Sequence, residues 1–447
     1  MKTLTFGAIF LLILTLIACA PVGTFVPTAT ITPTKAPTIT PTLVTYLPGL
    51  STDVPEPDTA FVEYVVNENY QSVMGLTRDQ VVLSYKEHTG IDGQPYVVMV
   101  DDSTGVPLAV YFEGEWRKAT LKFFGKQNGI VMGTDTVEAY TLTDMQIMSS
   151  FERATIAVGN FWDSDEPEFG QINLDEAAKA QKLENALTKN GVTEIVAHCV
   201  IGPSSFPEWL KNGNFTKDEL RTIMQGRIQY VIDQNPIANF LVVINEPWQA
   251  DTPSQEYDVF YKAWGNSYDY ITEAFQFTQE YAKATNRNIK LIFNDTDNHR
   301  KDGGMTNSTR TIVKTLHENG LIDYVGMQMH LNQWCGVQDG VVDKDTILEQ
   351  IEYYRSLGVP VLFTEVTYEP TEAELTMDEK AFNSRLAQIF GQVFQIAIKS
   401  DNVYGITFWG VTDKYIKDIN WYQIFDEIGQ PKQSYYVVLR TLYEGIK

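Results

Sequence analysis

Basic residues, cysteine and histidine are all scarce in this chain. Against 57 Asp and Glu it carries 34 Lys and Arg, a formal net charge of −23. A surface so acidic repels nucleic acid and anionic lipid, so neither is expected as a partner. Three cysteines are present, Cys19, Cys199 and Cys335. The last two fall on the third and sixth of the strands read below, which are not neighbours, so both are expected as buried free thiols. Neither stands in metal-ligand spacing, and the five histidines are scattered, so no metal site is expected. No Gly-rich phosphate fingerprint occurs, and no organic cofactor is implied. The one long apolar stretch, Leu4 to Ile17, is too short for a comfortable membrane span.

What the chain does have begins at that stretch. Lys2, the apolar run and the small residues before Cys19 describe a secretory signal over residues 1–19. Cysteine at that place resembles the bacterial lipobox, which implies lipidation of Cys19 and a cell-surface lipoprotein held to the membrane only by that anchor. Residues 20–57 are rich in Thr and Pro, as in Pro27-Thr-Ala-Thr-Ile-Thr-Pro33. Such a segment buries no core and reads as an extended tether. Residues 58–120 read as a small β-rich extension, with two strands, Tyr96–Val100 and Leu108–Phe112, around a turn. A structural cap fits its size better than a carbohydrate-binding module.

From residue 121 the pattern becomes rhythmic. Apolar runs recur at 129–133, 153–157, 194–200, 239–244, 289–293, 324–329, 360–364 and 403–409. Helical periodicity fills most gaps, over 174–189, 217–233, 268–285, 309–319 and 343–357, and a last helix is read at 433–443. Alternating strands and helices in that number predict an α/β fold, a (β/α)8 barrel spanning 121–447.

Two carboxylates stand at the exits of such runs. Asn245-Glu246-Pro247 follows the fourth, and Phe363-Thr364-Glu365-Val366 ends the seventh. Catalytic groups of barrels gather at the carboxyl ends of the strands, and paired carboxylates facing one cleft are what glycoside hydrolysis needs. Glu246 is read as the general acid/base and Glu365 as the nucleophile. His330, with Gln328 one alternation away at the end of the sixth run, is the candidate to hold Glu365 as an anion. Asn245 and His198 are candidates for sugar hydroxyls, and Trp409 and Trp421 for the walls of a sugar subsite.

These stretches together resemble glycoside hydrolase family 10, the retaining endo-β-1,4-xylanases. The likeness rests on Val242–Glu246, Phe293–Asp295, Gly326–Leu331, Phe363–Glu365, Ile406–Tyr415 and the closing Ile424–Tyr435, in that order along the chain. It implies Glu246 as acid/base, Glu365 as nucleophile with His330 and Gln328 supporting it, and an enzyme acting on xylan or a related β-glycan; a monomer is expected. The chain departs from the family on the glycone side. Val158 and Phe161 stand where an Asn and a Lys are usual, Ala197 replaces a Trp, Thr193 a His, and Thr367 an acidic residue. Rival readings are a glycanase of the same clan with another specificity, a surface glycan-binding protein without turnover, and a solute-binding lipoprotein with two doubly wound lobes.

Overall fold

The computed structural model describes residues 50, 53–136, 141–249, 252–253, 258–300, 304–416 and 422–446. Cys19, the Thr/Pro-rich segment up to residue 49 and Trp421 lie outside them. Eight parallel strands close a barrel: β1 (Val131–Thr136), β2 (Arg153–Ile156), β3 (Glu194–Ile201), β4 (Phe240–Asn245), β5 (Lys290–Asp295), β6 (Tyr324–Leu331), β7 (Val361–Tyr368) and β8 (Val403–Phe408). Helices follow each strand: α1 (Leu142–Met148), α2 (Leu174–Lys189), α3 (Lys217–Gln234), α4 (Asp269–Ala284), α5 (Gly304–Glu318), α6 (Lys344–Leu357), α7 (Glu379–Lys399) and α8 (Gln433–Glu444). The predicted (β/α)8 barrel is the observed fold, and the two-lobed alternative is excluded.

Local chemistry explains the boundaries. A barrel strand is covered on both faces, so it reads as a continuous apolar run, and every residue of β4 is buried. Thr216 and Glu219 bond reciprocally to each other's backbone N–H and start α3. Gly358, in the left-handed region at φ 80°, ends α6.

The barrel interior is layered. At its floor Arg153, 1% exposed, pairs with Glu194 at 2.5 Å and lies against the rings of Phe240 and Tyr404. Above it Val196, Val242, Ile292 and Leu362 form an apolar layer. Two residues further along the same strands come His198, Asn294 and Thr364. The period of two thus carries each strand from a plugged floor to a polar mouth.

One buried ion pair ties the mouth to the helical layer. Arg227 of α3 donates to Asp165 at 2.6 Å, to the Asn160 carbonyl at 2.6 Å and to the Val200 carbonyl at 3.2 Å. The loop after β2 and the end of β3 are therefore held by one guanidinium.

The extension holds more than the expected two strands. Helices Thr59–Val65 and Glu68–Met74 precede an antiparallel sheet of Leu83–Thr89, Pro95–Asp101, Val106–Phe112 and Glu115–Lys118. No residue of the outer two strands is buried and most are polar, which weakens their apolar signal. Its core is continuous with that of the barrel: Tyr70 meets Tyr436 of α8 edge-on at 5.0 Å, and His88 meets Tyr443 at 5.4 Å. Cys199 lies on β3 as expected, but Cys335 does not lie on β6, which ends at Leu331. The chain turns there, with Asn332 and Cys335 exchanging backbone hydrogen bonds. Both thiols are free and buried.

Candidate active site

Glu246 is the first residue past β4, and Glu365 sits within β7 where its pairing with β8 shifts register. Both adopt left-handed backbone conformations, φ 47° and 59°. For residues with a Cβ this costs on the order of 1–3 kcal/mol each. The turn it makes aims each carboxylate into the barrel mouth rather than along the strand.

Three amides join the two acids. Gln328 Nε2 donates to Glu246 Oε1 at 2.8 Å and to Asn245 Oδ1 at 3.2 Å. Asn294 Nδ2 donates to that same Asn245 oxygen at 2.7 Å and to Glu365 Oε1 at 2.6 Å. Thr364 Oγ1 donates to Asn294 Oδ1 at 2.6 Å, and the Glu365 carboxylate, which only accepts, sets the Asn294 amide with its nitrogen toward the acids. On the other side of Glu365, His330 Nε2 lies 3.0 Å from Oε2, and Nδ1 lies 2.9 Å from Thr367 Oγ1. His330 therefore holds Glu365 as expected, whereas Gln328 serves Glu246 and Asn245 instead.

The electrostatics separate the two acids. Burial pushes Glu246 above the ordinary carboxylate value, and the charge of Glu365 pushes it further. Burial is also the largest influence on Glu365, and upward. The His330 hydrogen bond, the charges of His198 and His330 and the Asn294 bond together outweigh it, so Glu365 lies below its ordinary value. Burial lowers His198, against a smaller upward pull from Glu365.

Trp409, just past β8, packs edge-on against His198 at 5.3 Å and His330 at 6.4 Å. Gln423 Nε2 donates to the Trp409 carbonyl at 2.6 Å and holds that corner. The Lys432–Asp413 pair, 2.7 Å apart and nearly buried, closes the loop behind it. Beside Glu246 opens a cavity of about 380 Å³, lined by Gln328, His330, Asp297, Trp334 and Cys335 among others. Trp334 is 78% exposed there. Val158 packs against the main core, and Thr193 stands exposed at the entry of β3, the end away from the mouth. Thr193 is thus no part of the glycone side.

Sequence reasoning missed Thr364 and Trp334 and noted Asn294 only within the stretch Phe293–Asp295. An Asn one residue short of a strand end is a faint signal, and its meaning comes from partners 49 and 71 residues away. Gly326 completes the arrangement. A Cβ there would lie 2.2 Å from Asn294 Oδ1, so no side chain fits without displacing Asn294. Gly326→Ala is expected to leave the barrel folded and cut kcat by about 10²-fold through a misplaced Glu365. Steady-state kinetics beside a circular dichroism spectrum check this.

The model of "Glycosyl hydrolase family 10" matches residues 120–441. The chain belongs to glycosyl hydrolase family 10. Relatives of the family include endo-1,4-beta-xylanase B of Thermotoga neapolitana, 26% identical over 294 residues, 64% of this chain and 79% of that one. Endo-1,4-beta-xylanase 2 of Aureobasidium pullulans is 28% identical over 318 residues, 67% of this chain and 81% of that one. Among solved structures, xylanase 10B from Thermotoga petrophila in complex with xylobiose superposes with a TM-score of 0.65. It is 23% identical, covering 75% of this chain and all of that one, and so speaks for the shared fold.

Proposed function

We propose that this chain is a retaining glycosidase of β-1,4-linked xylan-type polysaccharide, with Glu365 as nucleophile and Glu246 as acid/base. The reading is carried by one observation: two carboxylates at the barrel mouth, Glu365 buried and Glu246 half-buried, in one hydrogen-bonded cluster and shifted in opposite directions. An acid whose proton is held more tightly, beside one that ionises more readily, divides the two roles. The names of the relatives, endo-1,4-beta-xylanases, supply the substrate class.

In the first step a Glu365 oxygen bonds to the anomeric carbon as the glycosidic C–O bond breaks. The departing oxygen takes the proton of Glu246. Glu365 is now an ester and has lost its charge. That removes an upward push on Glu246, whose carboxylate then deprotonates a water that attacks the same carbon. Glu365 leaves as carboxylate, Glu246 regains a proton, and configuration is retained.

Asn245 accepts through its oxygen from both Gln328 and Asn294, so its NH2 is the end offered to a sugar hydroxyl. His198 and Trp409 border the same subsite, and the exposed face of Trp334 suits a sugar on the leaving-group side. The apolar stretch before Cys19 and the Thr/Pro-rich segment support a further proposal, that Cys19 is lipidated and the enzyme works from the cell surface. A glycan-binding role without turnover has less support, because both acids are kept.

The test is product analysis on xylan and a panel of other β-glycans, with the anomeric configuration of fresh product followed by NMR. Fastest release from xylan with β-product first is expected. An α-anomer as first product, or no release from any β-glycan, overturns the proposal.

A further inference from the structure

A second constellation of reactive side chains stands in the wall of the cleft. Asp297 and His299 lie in the loop after β5, and Cys335 lies in the turn after β6. One carboxylate oxygen, one imidazole nitrogen and one sulfur, all within 4.8 Å of one another, converge there. Cys335 Sγ is 2.5 Å from Asp297 Oδ1 and 3.2 Å from His299 Nε2. His299 is 1% exposed and Cys335 6%.

We propose that Asp297, His299 and Cys335 form a site for a thiophilic divalent cation of the Zn2+ class. The donor set is the argument. Carboxylate, imidazole and thiolate are the three protein ligands that zinc takes, at about 2.0–2.3 Å, which places them roughly 3.3–3.8 Å apart around a tetrahedral ion. The sulfur now lies closer than that to both partners, and all three donor atoms lie within 4.8 Å of one another, so the set brackets that spacing. Oxygen-seeking ions such as Mg2+ and Ca2+ are excluded by a donor set with one sulfur and one nitrogen.

The surroundings are built to hold these ligands. Reciprocal backbone bonds between Asn332 and Cys335 fix the turn that presents the sulfur. Gly336, at φ 79°, follows it, and a Cβ there would lie 3.1 Å from His299 Nε2. Arg300 Nη1 lies 3.3 Å from Asp297 Oδ2, which leaves Oδ1 as the oxygen for the ion. On binding, the thiol releases its proton to solvent as the metal–sulfur bond forms.

Three protein ligands leave a fourth position. Asp297 and Cys335 line the same cavity as Glu246 and His330, so that position faces the cleft and takes a water or a sugar hydroxyl. The ion also joins the loop after β5 to the turn after β6. A site of this kind gives the leaving-group side of the cleft a control that the two glutamates do not.

The test uses the full chain, stripped with a chelator and titrated with Zn2+ by calorimetry and with Co2+ by absorption. One equivalent is expected to bind, with the charge-transfer band of a Co2+–thiolate bond and a rise in melting temperature. Cys335→Ser and Cys335→Ala are expected to lose the band and more than the 10–100-fold in affinity that loss of an outer hydrogen-bond partner costs. Cys199→Ser, whose sulfur lies in β3, is expected to keep both. The proposal is overturned if the wild type binds no equivalent of Zn2+. It is equally overturned if binding survives both Cys335 substitutions, or depends on Glu246 and Glu365 instead.

Discussion

Glu365→Ala is expected to lower xylan hydrolysis by on the order of 10⁴-fold or more, because without the nucleophile no glycosyl-enzyme forms. Glu246→Gln is expected to cost about 10²–10⁴-fold, and less on aryl glycosides whose leaving group needs no proton. The two variants are separated by that contrast: a loss equal on both substrates marks the nucleophile, and a loss that shrinks marks the acid. Equal behaviour of the two variants would reverse or void the assignment. The pH profile follows from the same pair. Glu365 must be ionised, and it lies below the ordinary value of 4.5, so activity rises as pH climbs through that lowered value. Glu246 must be protonated and lies above 4.5, so activity falls as pH climbs through the raised one. In Glu365→Gln the upward push of the neighbouring charge is gone, and Glu246 is expected to titrate at lower pH. Carbon-13 NMR of its carboxyl in the variant and the wild type reads that shift.

The second large effect concerns stability. Arg227→Met is expected to cost about 3–5 kcal/mol, the penalty for leaving a buried charge without its partner. Arg227 and Asp165 are 2% and 0% exposed. Burial already pushes Asp165 upward, and Arg227 is the chief pull in the other direction, so the lone carboxyl would take up a proton. A shift in the urea midpoint with unchanged slope measures the loss. Adding Asp165→Leu is expected to return part of it, since the double variant buries no charge. A single variant as stable as wild type would mean that the pair contributes nothing to holding the β2 loop on β3.

Most of the barrel was legible in the sequence for a plain reason. Strands covered on both faces need apolar runs, and β4 supplies one in Phe240–Ile244 and β7 a shorter one in Val361–Phe363. Both acids followed directly, since each stands where such a run ends. Helix α7 was harder: its buried positions spread over much of its length, Leu386 through Ala397, which blurs the amphipathic period. The edge strands Leu83–Thr89 and Glu115–Lys118 escaped notice because little of either is buried. What the sequence hid altogether was partnership. Gln328 was read as a support for Glu365 and bonds Glu246, because its place on β6 says which way it points and not which acid it reaches. Asp297, His299 and Cys335 have no recognisable ligand spacing; two loops of the barrel bring them together.

The shared packing of extension and barrel sets where the working unit begins. The family match starts at residue 120, yet Tyr436 and Tyr443 of the last helix are covered by Tyr70 and His88, upstream of that start. Trimming the gene at the homology boundary would strip a greasy flank of α8 bare to water. The smallest portable enzyme therefore reaches back to the helix that opens at Thr59, and transplanting this activity means carrying the cap along with it.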